Sequence, residues 1–338
     1  MSREMAKQTS ISVPTLKLND VTKIYKSRGR STVALNHVTF SINPGKVVAL
    51  VCESGSGKTT ISRLVTGIER PTSGEVTFGD WQVESLRARQ LREFRSHVQM
   101  IFQDPFSSLN PHNTVLQTII RPLMNHRRFS LRQATEMAIE IMSTVRLTPV
   151  EQFASKKPHQ LSGGQRQRLV IARAIAPEPE LVVADEPVSM LDVSIRADVL
   201  YLIDGLRKRT GMSVLYITHD LLSARVFADE VIVLYKGHVV ECGQSDEVIR
   251  HPAHPYTQLL LNAIPNPRRL KDLTSNDETI GGNGFDKFTL AERGRFTQTS
   301  GQGCPFVKRC IMATAECDTI KPSLKGDSSH QVACIHVK

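Results

Sequence analysis

The 338-residue sequence has no apolar run near the ~18 residues needed to cross a bilayer. The stretch Val47-Val48-Ala49-Leu50-Val51 suffices only for a buried strand. The opening residues, MSREMAKQTS, lack the apolar core of a secretory signal. These absences predict a chain that stays in the cytosol and meets a membrane only peripherally. There is no internal repeat, so each motif described below occurs once. Nor is the chain dominated by polar or charged residues. It is 40% apolar, 22% charged and 5% aromatic, a globular composition that excludes a disordered or fibrous chain. The length suits one large domain with a smaller appendage, or two modest domains.

Lys and Arg number 43 against 33 acidic residues, giving a net charge of +10. That balance fits an anionic partner such as nucleotide phosphate, nucleic acid or lipid headgroups, and equally fits solvated basic faces. From about residue 15 to 250, short runs rich in Val, Ile and Leu alternate with helix-like stretches. Strands are predicted at Val47–Val51, Leu181–Ala184, Ser213–Ile217 and Val231–Leu234. Their lack of polar alternation suits strands covered on both faces in a largely parallel α/β sheet. A mostly helical segment is expected over about 105–178. Within it, Ser130-Leu131-Arg132-Gln133 reads as a capping box. Leu131, Ala134, Ala138, Ile141, Met142 and Val145 follow at helical spacing. Beyond 250 the prolines Pro252, Pro255, Pro265 and Pro267 and a polar stretch with Gly281, Gly282 and Gly284 read as turns and linker.

Val47–Val51 runs into Cys52-Glu53-Ser54-Gly55-Ser56-Gly57-Lys58-Thr59-Thr60 and then a helical stretch. A strand, a loop of small residues and a helix start are what a phosphate-binding loop requires. Backbone N–H groups converge on phosphate oxygens, and the helix N-terminus adds positive dipole. Lys58 offers a point charge, and the Thr59 hydroxyl is suited to ligate Mg²⁺. Cys52 stands where the usual pattern has Gly, so its Cβ is expected to strain the turn if positive φ is needed. Leu181-Val182-Val183-Ala184 ends in Asp185 and Glu186, suited respectively to Mg²⁺ and to polarising an attacking water, or else to a helix cap. Leu161-Ser162-Gly163-Gly164-Gln165 opens a helix and makes a second anion site. One chain has no obvious use for two such sites on one nucleotide, whereas a head-to-tail dimer does.

With these residues the chain resembles the ATP-binding subunits of ABC transporters over about residues 15–250. The most specific feature is the LSGGQ stretch, 20 residues before Asp185. The resemblance implies a P-loop NTPase (RecA-like) α/β core with a helical subdomain and an antiparallel β subdomain. It assigns Gln103 to the Q-loop, sensing Mg²⁺ and the γ-phosphate, Asp192 to the D-loop, His219 to the switch histidine and Tyr25 to adenine stacking. Taken singly, Gln103 and Asp192 could be surface residues, His219 a helix cap and Tyr25 a core aromatic. The implied mechanism sets ATP between the phosphate loop of one subunit and Ser162–Gln165 of another. Glu186 orients water, and His219 contacts the γ-phosphate.

The stretch from His251 to Leu260, with Asp185-Glu186-Pro187-Val188-Ser189, resembles the importer subgroup for peptides, nickel and some oligosaccharides. This implies a second ATPase chain, two membrane permease subunits and an extracytoplasmic solute-binding protein, at the cytoplasmic face of the membrane. Peptide is the default solute, with oligosaccharide or nickel as alternatives. A soluble ABC ATPase acting on nucleic acid is the competing class, and a nucleotide-binding protein of a metabolic complex a third. Against the nucleic-acid reading, the chain has neither a second nucleotide domain nor a long coiled coil. The extension, residues 251–338 beyond a nucleotide-binding domain at 1–250, carries Cys304, Cys310, Cys317 and Cys334, separated by five, six and sixteen residues. Clustered cysteines in a reducing compartment read as metal ligands. Neither zinc-finger nor ferredoxin spacing is present, so zinc, an iron–sulfur cluster and no metal all stay open. The resemblance implies a structural [4Fe–4S] cluster. His251 and His254 read as turn or docking residues, and Cys242 as an inert packed thiol.

Overall fold

The computed structural model describes residues 13–27, 30–263 and 303–337. The expected linker with Pro265, Pro267, Gly281, Gly282 and Gly284 lies outside them. In chain order the strands are β1 (Leu16–Ser27), β2 (Arg30–Ile42), β3 (Val47–Val51), β4 (Ser73–Phe78), β5 (Trp81–Gln82), β6 (Val98–Ile101), β7 (Leu181–Asp185), β8 (Ser213–Thr218), β9 (Glu230–Tyr235), β10 (His238–Gln244), β11 (Lys325–Gly326) and β12 (His330–Val332). The helices are α1 (Lys58–Val65), α2 (Ala88–His97), α3 (Pro105–Ser108), α4 (Val115–Arg127), α5 (Leu131–Thr144), α6 (Val150–Ala154), α7 (Gly163–Ile175), α8 (Val193–Thr210), α9 (Leu221–Phe227), α10 (Ser245–Arg250), α11 (Pro255–Asn262) and α12 (Glu316–Thr319). No helix among the described residues is long and apolar enough to cross a membrane.

The chain divides into two compact units. The first comprises the described parts of residues 1–21, 39–47 and 59–217. Here β6, β7 and β8 run parallel, pairing Val98 with Leu181 and Asp185 with Ile217. Every residue of β7 and β8 is buried, which accounts for their unbroken apolar sequence. β4 pairs antiparallel with β5 at Thr77↔Gln82 and Phe78↔Trp81, and Phe78, Trp81 and Phe94 pack edge to face beside them. From α3 to α7 the unit is helical, as the sequence predicts over 105–178. Ser130 caps α5 through the expected box, and Ala134, Ala138, Ile141, Met142 and Val145 are buried. Leu131 is the exception: it starts the helix and is 62% exposed.

The second unit comprises the described parts of residues 22–38, 48–58 and 218–338. Its β3 runs parallel to β9, from Val48↔Glu230 to Val51↔Val233. A tight turn at Lys236-Gly237 then reverses the chain into antiparallel β10. Residues 303–337 join this unit through β12, which pairs with β10 at Glu241↔Val332 and Cys242↔Gln331.

Candidate nucleotide site

In the second unit β3 delivers the phosphate loop. Gly55 and Gly57 take φ of +80° and +109°, the conformations for which glycine is needed. A Cβ on Gly57 would lie 2.7 Å from Leu35 Cδ2 and 2.8 Å from the Ala34 carbonyl oxygen. The Ser56 carbonyl accepts from Gly237 N–H at 2.9 Å, and Ser56 and Lys58 are buried. Cys52 does not meet the condition for strain. It is absent from the residues with positive φ, is buried, and donates its N–H to the Thr218 carbonyl at 3.3 Å. The loop asks for the left-handed region at Gly55 and Gly57, so the Cys52 side chain imposes no strain of that kind. Ser54 and Thr59 are exposed and Thr60 is buried.

His219 follows β8 and is exposed; the cap of α9 is its neighbour Asp220, whose carboxylate accepts from Leu222 N–H at 2.9 Å. His219 is thus not spent on capping. Tyr25 is 36% exposed, with the Lys23 ammonium 5.1 Å from its ring centre.

In the first unit the strand-end carboxylates are held separately. Asp185 is buried, and its Oδ2 accepts from the Ser62 hydroxyl on α1 at 3.3 Å. Glu186 has φ of +44°, uncommon for a residue with a side chain. Its N–H donates to the Ile217 carbonyl at 2.9 Å, and its Oε2 accepts from Gln103 Nε2 at 3.1 Å. The structure therefore brings Gln103 and Glu186 together. Ser62 gave no signal in the sequence, since a serine inside a helix is ordinarily unremarkable.

Ser162 caps α7: its hydroxyl accepts from Gln165 N–H at 3.3 Å, and Gln165 Oε1 accepts from Ser162 N–H at 3.0 Å. Ser162 and Gly163 are exposed, whereas Gly164 is buried where a Cβ would come 3.0 Å from Ile195. Arg166, buried on the same helix, donates to the Leu161 carbonyl at 2.6 Å, and its guanidinium lies 3.6 Å from the centre of the Phe106 ring. That stack ties α7 to α3, directly after Gln103 and Asp104. Asp192 is exposed at the N-cap position of α8 without capping it. A groove of about 770 Å³ opens beside this region, lined by Ile68, Met100, Phe102, Ser107, Ser108 and Arg173 among others.

The metal expectation for the four terminal cysteines is not supported. Among the described residues, no three His, Cys, Asp or Glu side chains are grouped so as to hold a metal ion. Cys304, Cys310, Cys317 and Cys334 are all free thiols near enough to influence one another. Burial, foremost, and the neighbouring cysteines push the Cys310 thiol up to about 11. Cys304 is raised for the same reasons. Cys317 Sγ is engaged by His336 Nε2 at 3.3 Å and by Thr314 N–H at 3.5 Å, partners that spacing does not reveal. Cys242 is likewise pushed up to about 11 by burial, in keeping with an inert packed thiol. His254 is buried and caps α11, its Nδ1 accepting from Tyr256 N–H at 3.0 Å, while His251 is exposed beside Glu247.

Residues 35–189 match the ABC transporter family, and residues 240–317 match the oligopeptide/dipeptide transporter C-terminal region. A putative peptide import ATP-binding protein of Brucella ovis is 39% identical over 325 residues, covering 95% of this chain and 98% of that protein. The oligopeptide transport ATP-binding protein OppF of Salmonella typhimurium is 39% identical over 307 residues, covering 90% and 88%. Among solved structures, a dimeric ATP-binding cassette in a post-hydrolysis state with ADP and Pi superposes with a TM-score of 0.62 at 33% identity. It covers 68% of this chain and 98% of that one. With identity of this level running almost end to end, the chain belongs to the ABC transporter ATP-binding proteins, in the branch that carries the oligopeptide/dipeptide transporter C-terminal region.

Proposed function

We propose that this chain binds and hydrolyses ATP to power an importer for peptides. The observation that carries the reading is the Gln103–Glu186 hydrogen bond of 3.1 Å, formed beside an Asp185 that Ser62 restrains. One carboxylate is oriented by an amide and the other is anchored by a hydroxyl, the division of labour that in-line attack of water on a phosphate needs.

In this reading Ser54, Gly55, Ser56, Gly57 and Lys58 cradle the phosphates, with Thr59 and Thr60 at the start of α1. Tyr25 stacks on the base. Thr59, Gln103 and Asp185 are the oxygen donors for Mg²⁺, hard ligands of the kind that ion prefers. When bound, the ion neutralises phosphate charge. Glu186 holds the attacking water, and His219 contacts the γ-phosphate and stabilises charge in the transition state. Ser162, Gly163, Gly164, Gln165 and Asp192 serve the nucleotide of a second ATPase subunit. The exposure of Ser162 and Gly163 supports that role.

The partners we propose are a related ATPase chain, two permease subunits met at the groove beside Phe102, and a solute-binding protein on the far side of the membrane. The chain would then act peripherally at the cytoplasmic face. Residues 1–250 form the nucleotide-binding part and 251–338 the extension. Peptide is preferred as solute because the relatives named above are peptide and oligopeptide import proteins. The test is to isolate the assembly from membranes, identify its chains, and measure ATP hydrolysis with and without peptide-loaded binding protein. Two multispan proteins and peptide-stimulated hydrolysis are expected. Co-purification with RNA and no membrane protein would overturn the reading.

A further inference from the structure

The second unit contains an unbroken run of contacts from the extension to the phosphate loop. Extension residues gather first on Glu241 of β10, whose side chain is fully buried. Its Oε1 accepts from Ala253 N–H at 2.7 Å and pairs with His330 Nε2 at 2.7 Å, and its Oε2 accepts from His254 N–H at 3.1 Å. This carboxylate fixes the entry to α11, where His254 in turn holds Tyr256 N–H. The Tyr256 ring is clamped by Tyr235 and Phe306, with ring centres 4.6 and 5.5 Å away. Its hydroxyl accepts the N–H of Glu53, inside the phosphate loop, at 3.0 Å. Arg309 lies 5.8 Å from the ring centres of both Tyr235 and Phe306, and grips the Glu53 carboxylate with two hydrogen bonds of 2.8 and 3.0 Å.

Glu53 is the one acidic residue in the stretch Cys52–Thr60, which must receive a polyanion. Left alone, its charge would offset that of Lys58. A planar guanidinium bound in fork geometry cancels it and fixes its direction. We infer that Arg309 and Tyr256 are positioning residues of the ATP site: Arg309 neutralises Glu53 within the phosphate loop, and Tyr256 holds the loop backbone at the Glu53 N–H. The inference rests on the assignment of residues 52–60 to the nucleotide phosphates. It makes the extension part of the ATP-binding apparatus, not only a structural annex.

The test uses full-length chain in the assembled transporter, with ATP affinity and hydrolysis measured for Arg309→Gln, Tyr256→Phe, Glu53→Gln/Arg309→Gln and Lys58→Ala. The Glu53 and Arg309 side chains are 38% and 43% exposed, so the effect of the ion pair is modest. Arg309→Gln is expected to weaken ATP binding about two- to fivefold and to raise KM, with kcat at saturating ATP unchanged. Adding Glu53→Gln restores the affinity, a rescue that a merely structural role of Arg309 would not give. Tyr256→Phe weakens binding about two- to tenfold through one lost hydrogen bond. Wild-type affinity in both Arg309→Gln and Tyr256→Phe, with binding abolished in Lys58→Ala, would overturn the inference. So would a defect in Arg309→Gln that Glu53→Gln fails to repair. Undiminished binding in Lys58→Ala would instead defeat the assignment of the loop itself.

Discussion

Gln103 Nε2 donates to Glu186 Oε2 across 3.1 Å, joining residues 83 positions apart in the chain. The amide sets the plane of the carboxylate, and the left-handed backbone at Glu186 sets where the side chain leaves the strand end. Glu186→Gln is expected to lower hydrolysis about 10²- to 10⁴-fold while ATP binding persists. The nucleotide-loaded variant should accumulate as a dimer on a sizing column. Gln103→Ala, which leaves the carboxylate in place but removes its donor, should cost about tenfold in turnover.

Cys52→Gly tests the unstrained backbone at that position. The native φ is open to any residue, so glycine brings no relief and adds freedom to the unfolded chain. ATP affinity should change less than about twofold, as read by nucleotide titration. Unfolding free energy should fall by about 1 kcal/mol in a denaturant melt. A clear gain in affinity would show that the cysteine does burden the loop.

Glu241 accepts from three donors while fully buried. Glu241→Ala strands the N–H groups of Ala253 and His254 together with His330, and should cost about 3 kcal/mol or more. Urea titration of the full chain measures it. Glu241→Gln keeps an acceptor oxygen and should cost less.

Burial lowers His254 from the ordinary 6.5 to about 4, so the ring stays neutral when folded, as its acceptor role at Tyr256 N–H demands. Between those values the unfolded chain binds a proton that the folded one refuses. Stability from this group is therefore full above pH 6.5 and is lost as pH falls toward 4, with a total on the order of 3 kcal/mol. His254→Asn retains a capping oxygen. It should flatten the pH dependence of the melting temperature in that window.

The family and the strand frame were legible because each candidate motif is short and contiguous in a definite strand or helix context. The strands at 47–51, 181–185, 213–218 and 230–235 lie within a residue of where their apolar runs predict. What the sequence left open has specific origins. Strain at Cys52 depends on a backbone angle that residue type alone does not fix. Ligation by the four cysteines depends on convergence of their sulfurs, and irregular spacing carries no signal for that. Leu131 fits the helical period, yet the first turn of α5 stands clear of the core. The Glu53–Arg309 pair spans 256 residues, and neither partner belongs to a pattern that announces the other. Glu241 lies in an ordinary strand, where only the fold reveals that its side chain points into the interior.

The parallel register of β6, β7 and β8 has a consequence for biosynthesis. Asp185 ends, and Glu186 directly follows, the middle of three strands drawn from residues 98–101, 181–185 and 213–218, each returned by a long crossover. During translation that arrangement is incomplete until β8 has cleared the ribosome, and until then the edge of β7 that pairs with β8 stays open. Prematurely terminated products ending before β8 are thus expected to be aggregation-prone and catalytically inert.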